Sequence, residues 1–218
     1  MTDQITRDDY PRPQFQRNDW MHLNGQWEFE YDDERIGNME KWHRGEKVLD
    51  KRIQVPFAYQ SKLSGIGDNE FHDMVWYRKT VTIPERWQGK RVLLHFGAVD
   101  YLANVWVNGE WVATHEGGHT PFYADIADAL IPGENTIVVQ AEDFSKDLSL
   151  PRGKQYWLQD SGGIFYTRTT GIWQTVWMEA VDSMHLEKVK LTPNMDKAEV
   201  TIRSYVKGHN KEDDIRLK

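Results

Sequence analysis

His115-Glu116-Gly117-Gly118-His119 sets two imidazoles four residues apart with a carboxylate beside the first. On a helix, that spacing aims two ligands at one zinc ion and a general base at its bound water. The segment resists a helix, however. Its adjacent glycines cost about 1 kcal/mol each relative to Ala in a helix interior, Pro121 follows closely, and the residues before it form a strand leaving a hairpin. It reads as a glycine-rich connection between strands, with no metal site. Paired carboxylates are the second candidate, because acid/base cleavage of an acetal needs two acids at a fixed separation. Asp32-Asp33, Glu142-Asp143 and Asp213-Asp214 are neighbours in sequence. Adjacent residues of a strand point to opposite faces, so these acids are expected on a solvated surface. No Gly-x-Ser-x-Gly elbow offers a nucleophile. Gly65-Ile66-Gly67 and Gly162-Gly163 lack the strand-to-helix setting of a phosphate cradle and read as turns. No catalytic residue, cofactor or metal ligand is expected.

What must position any remaining chemistry is a β framework. Period-two alternation recurs, and long stretches of period 3.6 do not. Val92, Leu94 and Phe96 face one way against Arg91, Leu93 and His95; Ala103, Val105 and Val107 alternate with Leu102, Asn104 and Trp106. The latter run enters Asn108-Gly109 and is followed by Glu110 to Thr114, the signal of a type I′ hairpin with positive φ at both central residues. Further strands are expected over Gln26 to Tyr31, Val75 to Ile83, Thr136 to Glu142 and Ile172 to Glu179, with Pro132-Gly133-Glu134-Asn135 as a turn cluster. Two segments break the rhythm, 37–45 and 144–170. The second carries Trp157, Phe165 and Tyr166 among charged residues, a mixture too aromatic for simple disorder. It is expected to be ordered and to line a surface. After Asp182 two polar strands, Leu186 to Leu191 and Ala198 to Val206, are joined by a Pro193-Asn194 turn; a pair of strands alone cannot form a stable sheet.

Composition narrows the partners. The 218 residues are 39% apolar, enough for one sizeable core or one domain and a fragment of a second. Thirty-four acidic against 27 basic residues give a net charge of −7, which argues against nucleic acid, whose binding rests on clustered Lys and Arg. No apolar run approaches the ~20 residues that span a bilayer, and the polar start lacks the apolar core of a secretory signal. With no cysteine, a cytoplasmic location is expected. Ten Trp, nine Tyr and eight Phe serve mainly as core between two sheets, some as platforms for sugar faces.

Several segments together resemble the sugar-binding domain of glycoside hydrolase family 2, the family of β-galactosidases, β-glucuronidases and β-mannosidases. They are Leu23-Asn24-Gly25-Gln26-Trp27-Glu28-Phe29, Val55-Pro56-Phe57 with Ser64-Gly65-Ile66, Trp76-Tyr77-Arg78, Phe96-Gly97-Ala98-Val99-Asp100-Tyr101, Val107-Asn108-Gly109, His115-Glu116-Gly117-Gly118, Gly133-Glu134-Asn135, Arg152-Gly153-Lys154-Gln155 and Gly171-Ile172-Trp173-Gln174-Thr175-Val176-Trp177. The resemblance implies an all-β jelly-roll sandwich of the galactose-binding kind over 20–182, an N-terminal arm over 1–19, and over 183–218 the first strands of an incomplete immunoglobulin-like domain. It implies a chain cut before the catalytic barrel, inactive alone, whose partners are a carbohydrate substrate and that barrel, with a homo-oligomer left open. A stand-alone carbohydrate-binding module and a purely structural domain are the competing readings.

The resemblance also implies a loop reaching toward the barrel mouth, with an aspartate six residues before the glycine that stands here as Gly171. Phe165 occupies that position. Asp160, Tyr166 and Arg168 are the substitute sugar contacts in the same loop. Arg152, Lys154 and Gln155 form a second polar cluster, which either touches sugar or braces the loop.

Overall fold

The computed structural model describes residues 8–208, and its named strands pair with one another antiparallel throughout. The strands are β1 (Trp20–His22), β2 (Gly25–Tyr31), β3 (Lys51–Val55), β4 (Met74–Thr82), β5 (Arg91–Phe96), β6 (Val99–Asp100), β7 (Leu102–Val107), β8 (Glu110–Glu116), β9 (Phe122–Asp125), β10 (Glu134–Glu142), β11 (Gly171–Ile172), β12 (Val176–Val181), β13 (His185–Asn194) and β14 (Glu199–Lys207). A six-stranded sheet runs β3-β2-β4-β10-β7-β8 and faces a four-stranded sheet, β1-β12-β5-β9.

The alternation in the sequence builds the core between them. Trp27, Phe29, Val75, Tyr77, Val105, Ile137 and Val139 from the larger sheet meet Val92, Leu94, Phe96, Val176 and Met178 from the smaller one in a single buried cluster. A side chain of this size contributes about 1.5–3 kcal/mol when fully buried. Phe29 lies edge-on to Tyr77 with centroids 5.0 Å apart, the arrangement aromatic quadrupoles favour. The opposite face of the larger sheet is covered by the 32–50 segment, where Trp42 and Leu49 pack on Trp76 and Val138.

Asn108 and Gly109 have φ of 52° and 83°, as a type I′ turn requires, and Val107 pairs with Glu110 across it. The strand expected over Ile172 to Glu179 is instead two. Its first piece, β11, pairs with β6; its second, β12, lies between β1 and β5. The break at 173–175 is where the chain changes partner, with the Gly97 amide donating to Thr175 O at 2.9 Å. The final turn lies at 195–198 rather than Pro193-Asn194, because Pro193 pairs with Val200 and Asn194 with Glu199. Pro is tolerated on an edge strand, and Ala198, with φ of 52°, is a turn residue and not part of the strand. Nor is this hairpin polar throughout. Its register places Leu191 opposite Ile202 and Pro193 opposite Val200, so one face is apolar, and it is exposed.

Residues 10–17 lie across the outer face of the smaller sheet, where Glu179 is fully buried. Its carboxylate accepts from Tyr10 Oη at 2.9 Å, Arg12 Nη2 at 2.8 Å and Arg17 Nη1 at 3.1 Å, and His95 Nε2 stands 2.9 Å away. Burial alone would raise the Glu179 pKa; the His95 hydrogen bond and the two guanidiniums outweigh it and bring it to about 2. Burial pushes His95 down, with the Glu179 carboxylate opposing the shift. Among the described residues no helix is long and apolar enough to cross a membrane.

Candidate functional site

Strand β10 ends at Glu142, and the chain then leaves the larger sheet for the 144–170 loop before returning as β11. Both ends of this excursion are fastened by polar groups, half-buried at the first end and buried at the second. At the first end the Asp143 amide donates to Asp73 O at 2.8 Å and the Ser145 amide to Asp73 Oδ1 at 3.0 Å. At the second, Thr170 Oγ1 donates to Asp143 Oδ2 at 3.0 Å and accepts from Gln60 Nε2 at 3.3 Å. Arg168 lies between them: Nη1 is 3.4 Å from Asp73 Oδ1, Nε 3.6 Å from Asp143 Oδ2, and Nη2 donates to Tyr59 Oη at 3.5 Å. Its guanidinium also lies 4.9 Å from the Phe71 ring centroid, a cation over an aromatic face.

A second anchor is Asp100, at the end of β6. Its Oδ2 accepts from Gln155 Nε2 at 2.9 Å and Thr169 Oγ1 at 3.1 Å, while the Thr169 amide donates to Gln155 Oε1 at 2.8 Å. The residues 115–119 close over this carboxylate. A Cβ on Gly118 would stand 2.6 Å from Asp100 Cγ, so the glycine is required by close approach. Trp173 Nε1 donates to Gly118 O at 2.7 Å and holds the segment down. The His-Glu-Gly-Gly-His motif is therefore the end of β8 and a turn, and not a helix. His115 Nε2 meets Thr120 Oγ1 at 3.0 Å and its ring stacks on Phe122; His119 stands edge-on to Trp173. Gly171 is equally constrained, with φ of +86° and Tyr77 Cζ 2.9 Å from where a Cβ would be.

The sequence-based expectation of solvated acids fails at this site. Asp143 and Glu142 are buried, and so is Asp32. Asp32 follows β2 and its oxygens accept from the Ile36 and Gly37 amides and Trp76 Nε1, at 2.8, 2.9 and 2.9 Å. Glu142 pairs with Arg35. Asp33, beside Asp32, is exposed as expected and lies 2.9 Å from His72 Nδ1. Asp213 and Asp214 lie outside the described residues. Burial raises the Asp100 pKa. Burial likewise raises Asp143, to about 6, with Arg168 opposing the shift and Asp100 and Asp73 adding to it.

The six candidate residues separate into two groups. Gln155 and Arg168 are buried and spent on the anchors. Arg152 is half-buried, donating to Ser145 O at 3.2 Å and Asp147 O at 2.5 Å; it braces the loop. Lys154, Asp160 and Tyr166 are exposed toward the tip. There Tyr156 and Phe165 stack at 5.2 Å, Trp157 stands edge-on to both, and Trp157 and Tyr166 remain 50% and 56% exposed beside Leu158 and Ile164. The loop is thus polar where it meets the sandwich and apolar where it leaves it. Sequence reasoning missed Asp73, Asp100, Thr169, Thr170 and Gln60 as site residues, and it placed Asp143 on a solvated surface. Asp100 was signalled only by lying in the Phe96-to-Tyr101 segment, next to a strand whose partner was invisible.

The sequence model of "Glycosyl hydrolases family 2, sugar binding domain" matches residues 20–178, and the chain belongs to that family. A β-glucuronidase of Paenibacillus borealis is 35% identical over 133 residues, 61% of this chain and 22% of its own. A β-galactosidase of Thermoanaerobacter pseudethanolicus is 28% identical over 201 residues, 87% of this chain and 24% of its own. The fold is similar to part of a β-glucuronidase from Ruminococcus gnavus, with a TM-score of 0.72 over 92% of this chain and 36% of that one at 24% identity. The chain spans about a quarter of the length of these two curated relatives.

Proposed function

We propose that this family 2 sugar-binding domain is the non-catalytic part of a β-glycosidase, and that its 144–170 loop helps to shape the sugar pocket. The observation that carries the reading is the division of that loop. Gln155, Arg168, Thr169 and Thr170 fix its base in largely buried hydrogen bonds, while Trp157 toward its tip and Tyr166, paired beside Gln155, stay exposed. Rigid support beneath exposed aromatics is what a sugar-stacking or domain-docking surface needs. On this reading Tyr166, Lys154 and Asp160 are the residues that reach sugar or the catalytic domain, and Arg152, Gln155 and Arg168 hold them in place.

The parent enzyme acts on a β-glucuronide or β-galactoside, a reading supported by the names of its relatives, and its catalytic acids lie on another domain. The acids brought together here, Asp73, Asp100 and Asp143, are engaged by Arg168, Gln155, Thr169 and Thr170. A jelly-roll domain over 20–182 with an immunoglobulin-like domain beginning at 183 completes the organisation. In its favour is the one-sided apolar face of β13 and β14, which needs a facing sheet. A cytoplasmic location suits a chain without cysteine.

The test combines turnover and binding. The purified chain is expected to hydrolyse neither aryl β-glucuronides nor aryl β-galactosides, and to bind glucuronate or galactose more weakly than about 1 mM. Trp fluorescence reports the titration, and Trp157→Ala should abolish the signal change. Turnover that copurifies with the chain refutes the non-catalytic role; micromolar binding of one sugar replaces it with a stand-alone carbohydrate-binding module.

A further inference from the structure

The base of the 144–170 loop gathers more carboxylates than Arg168 can balance. Asp143 stands at the junction. From the end of β10 its neighbour Glu142 is already paired with Arg35. Asp73, before β4, shares Arg168 with it. From β6 it faces Asp100, which is near His119, and the Tyr59 hydroxyl takes the remaining side of Arg168. Arg168 is the one guanidinium paired with these carboxylates, of which Asp100 and Asp143 are buried; Arg152 lines the same small cavity but is turned to Ser145 O and Asp147 O. A buried carboxylate without its own counter-charge favours its neutral form.

We infer that protonation of Asp143 controls how firmly the 144–170 loop is closed onto the sandwich, held at acidic pH and loosened as pH rises. The geometry makes the coupling direct. Thr170, whose hydroxyl donates to Asp143, and Arg168, beside it, are the last residues of the same loop, so opening that end delivers Asp143 to water. Protonated Asp143 can remain closed without a charge penalty. Once ionised, it is better solvated in the open state. Its pKa of about 6 when closed, against an ordinary value of 3.8, makes the opening equilibrium rise by up to ~100-fold between pH 3.5 and 7.5.

Native-state hydrogen exchange of peptides within 144–170, corrected for the intrinsic pH dependence of exchange, reads this directly. Loop opening in the wild type is expected to rise by one to two orders of magnitude over that range, and the rise should disappear in Asp143→Asn. A flat or falling profile overturns the inference, as does an undiminished rise in the variant. Should Asp143→Asn not fold, carboxyl-carbon NMR of the wild type decides. A midpoint near 6 shared by Asp143 and the loop amides supports the coupling; a midpoint near 4, or loop signals indifferent to it, refutes it. No sugar is involved, so this outcome and that of the sugar-binding reading are separable.

Discussion

Gly118→Ala tests whether the His-Glu-Gly-Gly-His segment exists to close over Asp100. The added Cβ would lie 2.6 Å from Asp100 Cγ, whereas carbon atoms in contact prefer about 3.5–4.0 Å. Roughly 1 Å must be found, and the movement of Asp100 weakens its bonds from Gln155 at 2.9 Å and Thr169 at 3.1 Å. Overpacking costs about 1–3 kcal/mol, and a disturbed hydrogen bond to a charged group about 1.5–3 kcal/mol. With partial relaxation the expected loss is about 3 kcal/mol. In a domain of this size that lowers Tm by about 6–12 °C. Urea unfolding followed by Trp fluorescence measures it, and a double-mutant cycle assigns it. In an Asp100→Ala background the carboxylate is gone, and Gly118→Ala should cost no more than about 0.5 kcal/mol, as at an unconstrained surface site. An unchanged wild-type stability, or the same loss in both backgrounds, would refute the steric argument.

Glu179→Gln should destabilise the protein in a pH-dependent way. The folded pKa of about 2 lies below the ordinary 4.5, so the ionised side chain stabilises the fold fully above pH ~4.5 and progressively less as pH falls toward 2. Its contribution is about 3 kcal/mol; the deficit of the variant, by denaturant unfolding at pH 7 and pH 2.5, should shrink by most of that amount. Asp32→Ala leaves the Ile36 and Gly37 amides and Trp76 Nε1 without their acceptor and should cost about 3 kcal/mol. Faster hydrogen exchange confined to 36–45 would accompany it, and a loss below about 1 kcal/mol would show that water replaces the carboxylate.

The framework was legible because burial in a two-sheet sandwich imposes period two on every central strand. Val92, Leu94 and Phe96, or Ala103, Val105 and Val107, announce their face one residue at a time, and Asn108-Gly109 can hardly be anything but a tight turn. What the residues did not reveal was which loops would cover them. Asp143 and Asp32 look solvated in a local window; they are buried by segments remote in sequence, Arg168 in one case and Trp76 in the other. The same limit applies at 173–175. A change of sheet partner leaves no mark on alternation, since both flanking pairs are apolar. The placement of the candidate site residues was hidden for a related reason. An Arg or Gln in an aromatic loop suggests contact with ligand, but Arg168 and Gln155 are turned inward, and only their distant partners show it.

Glu179 and Asp143 are both buried carboxylates, yet burial leaves one far more acidic than usual and the other far less. The difference is the count of cations. Glu179 has two guanidiniums and a hydrogen bond from His95 to itself; Asp143 shares one guanidinium with Asp73 and faces Asp100. An excess of positive charge makes the first group a fixed fastening of the N-terminal residues to the smaller sheet. A deficit makes the second group a weak fastening of the 144–170 loop to the larger one. The two respond oppositely to pH: Glu179 loses its contribution as acid increases below about 4.5, and Asp143 imposes its penalty as acid is withdrawn, between the ordinary 3.8 and about 6. Structural fastenings are expected to be over-neutralised, because nothing is gained by opening them. The pocket-shaping role proposed for the 144–170 loop would draw it from the less stable part of the fold, and an unbalanced charge at its base supplies that instability without loosening the sandwich beneath it.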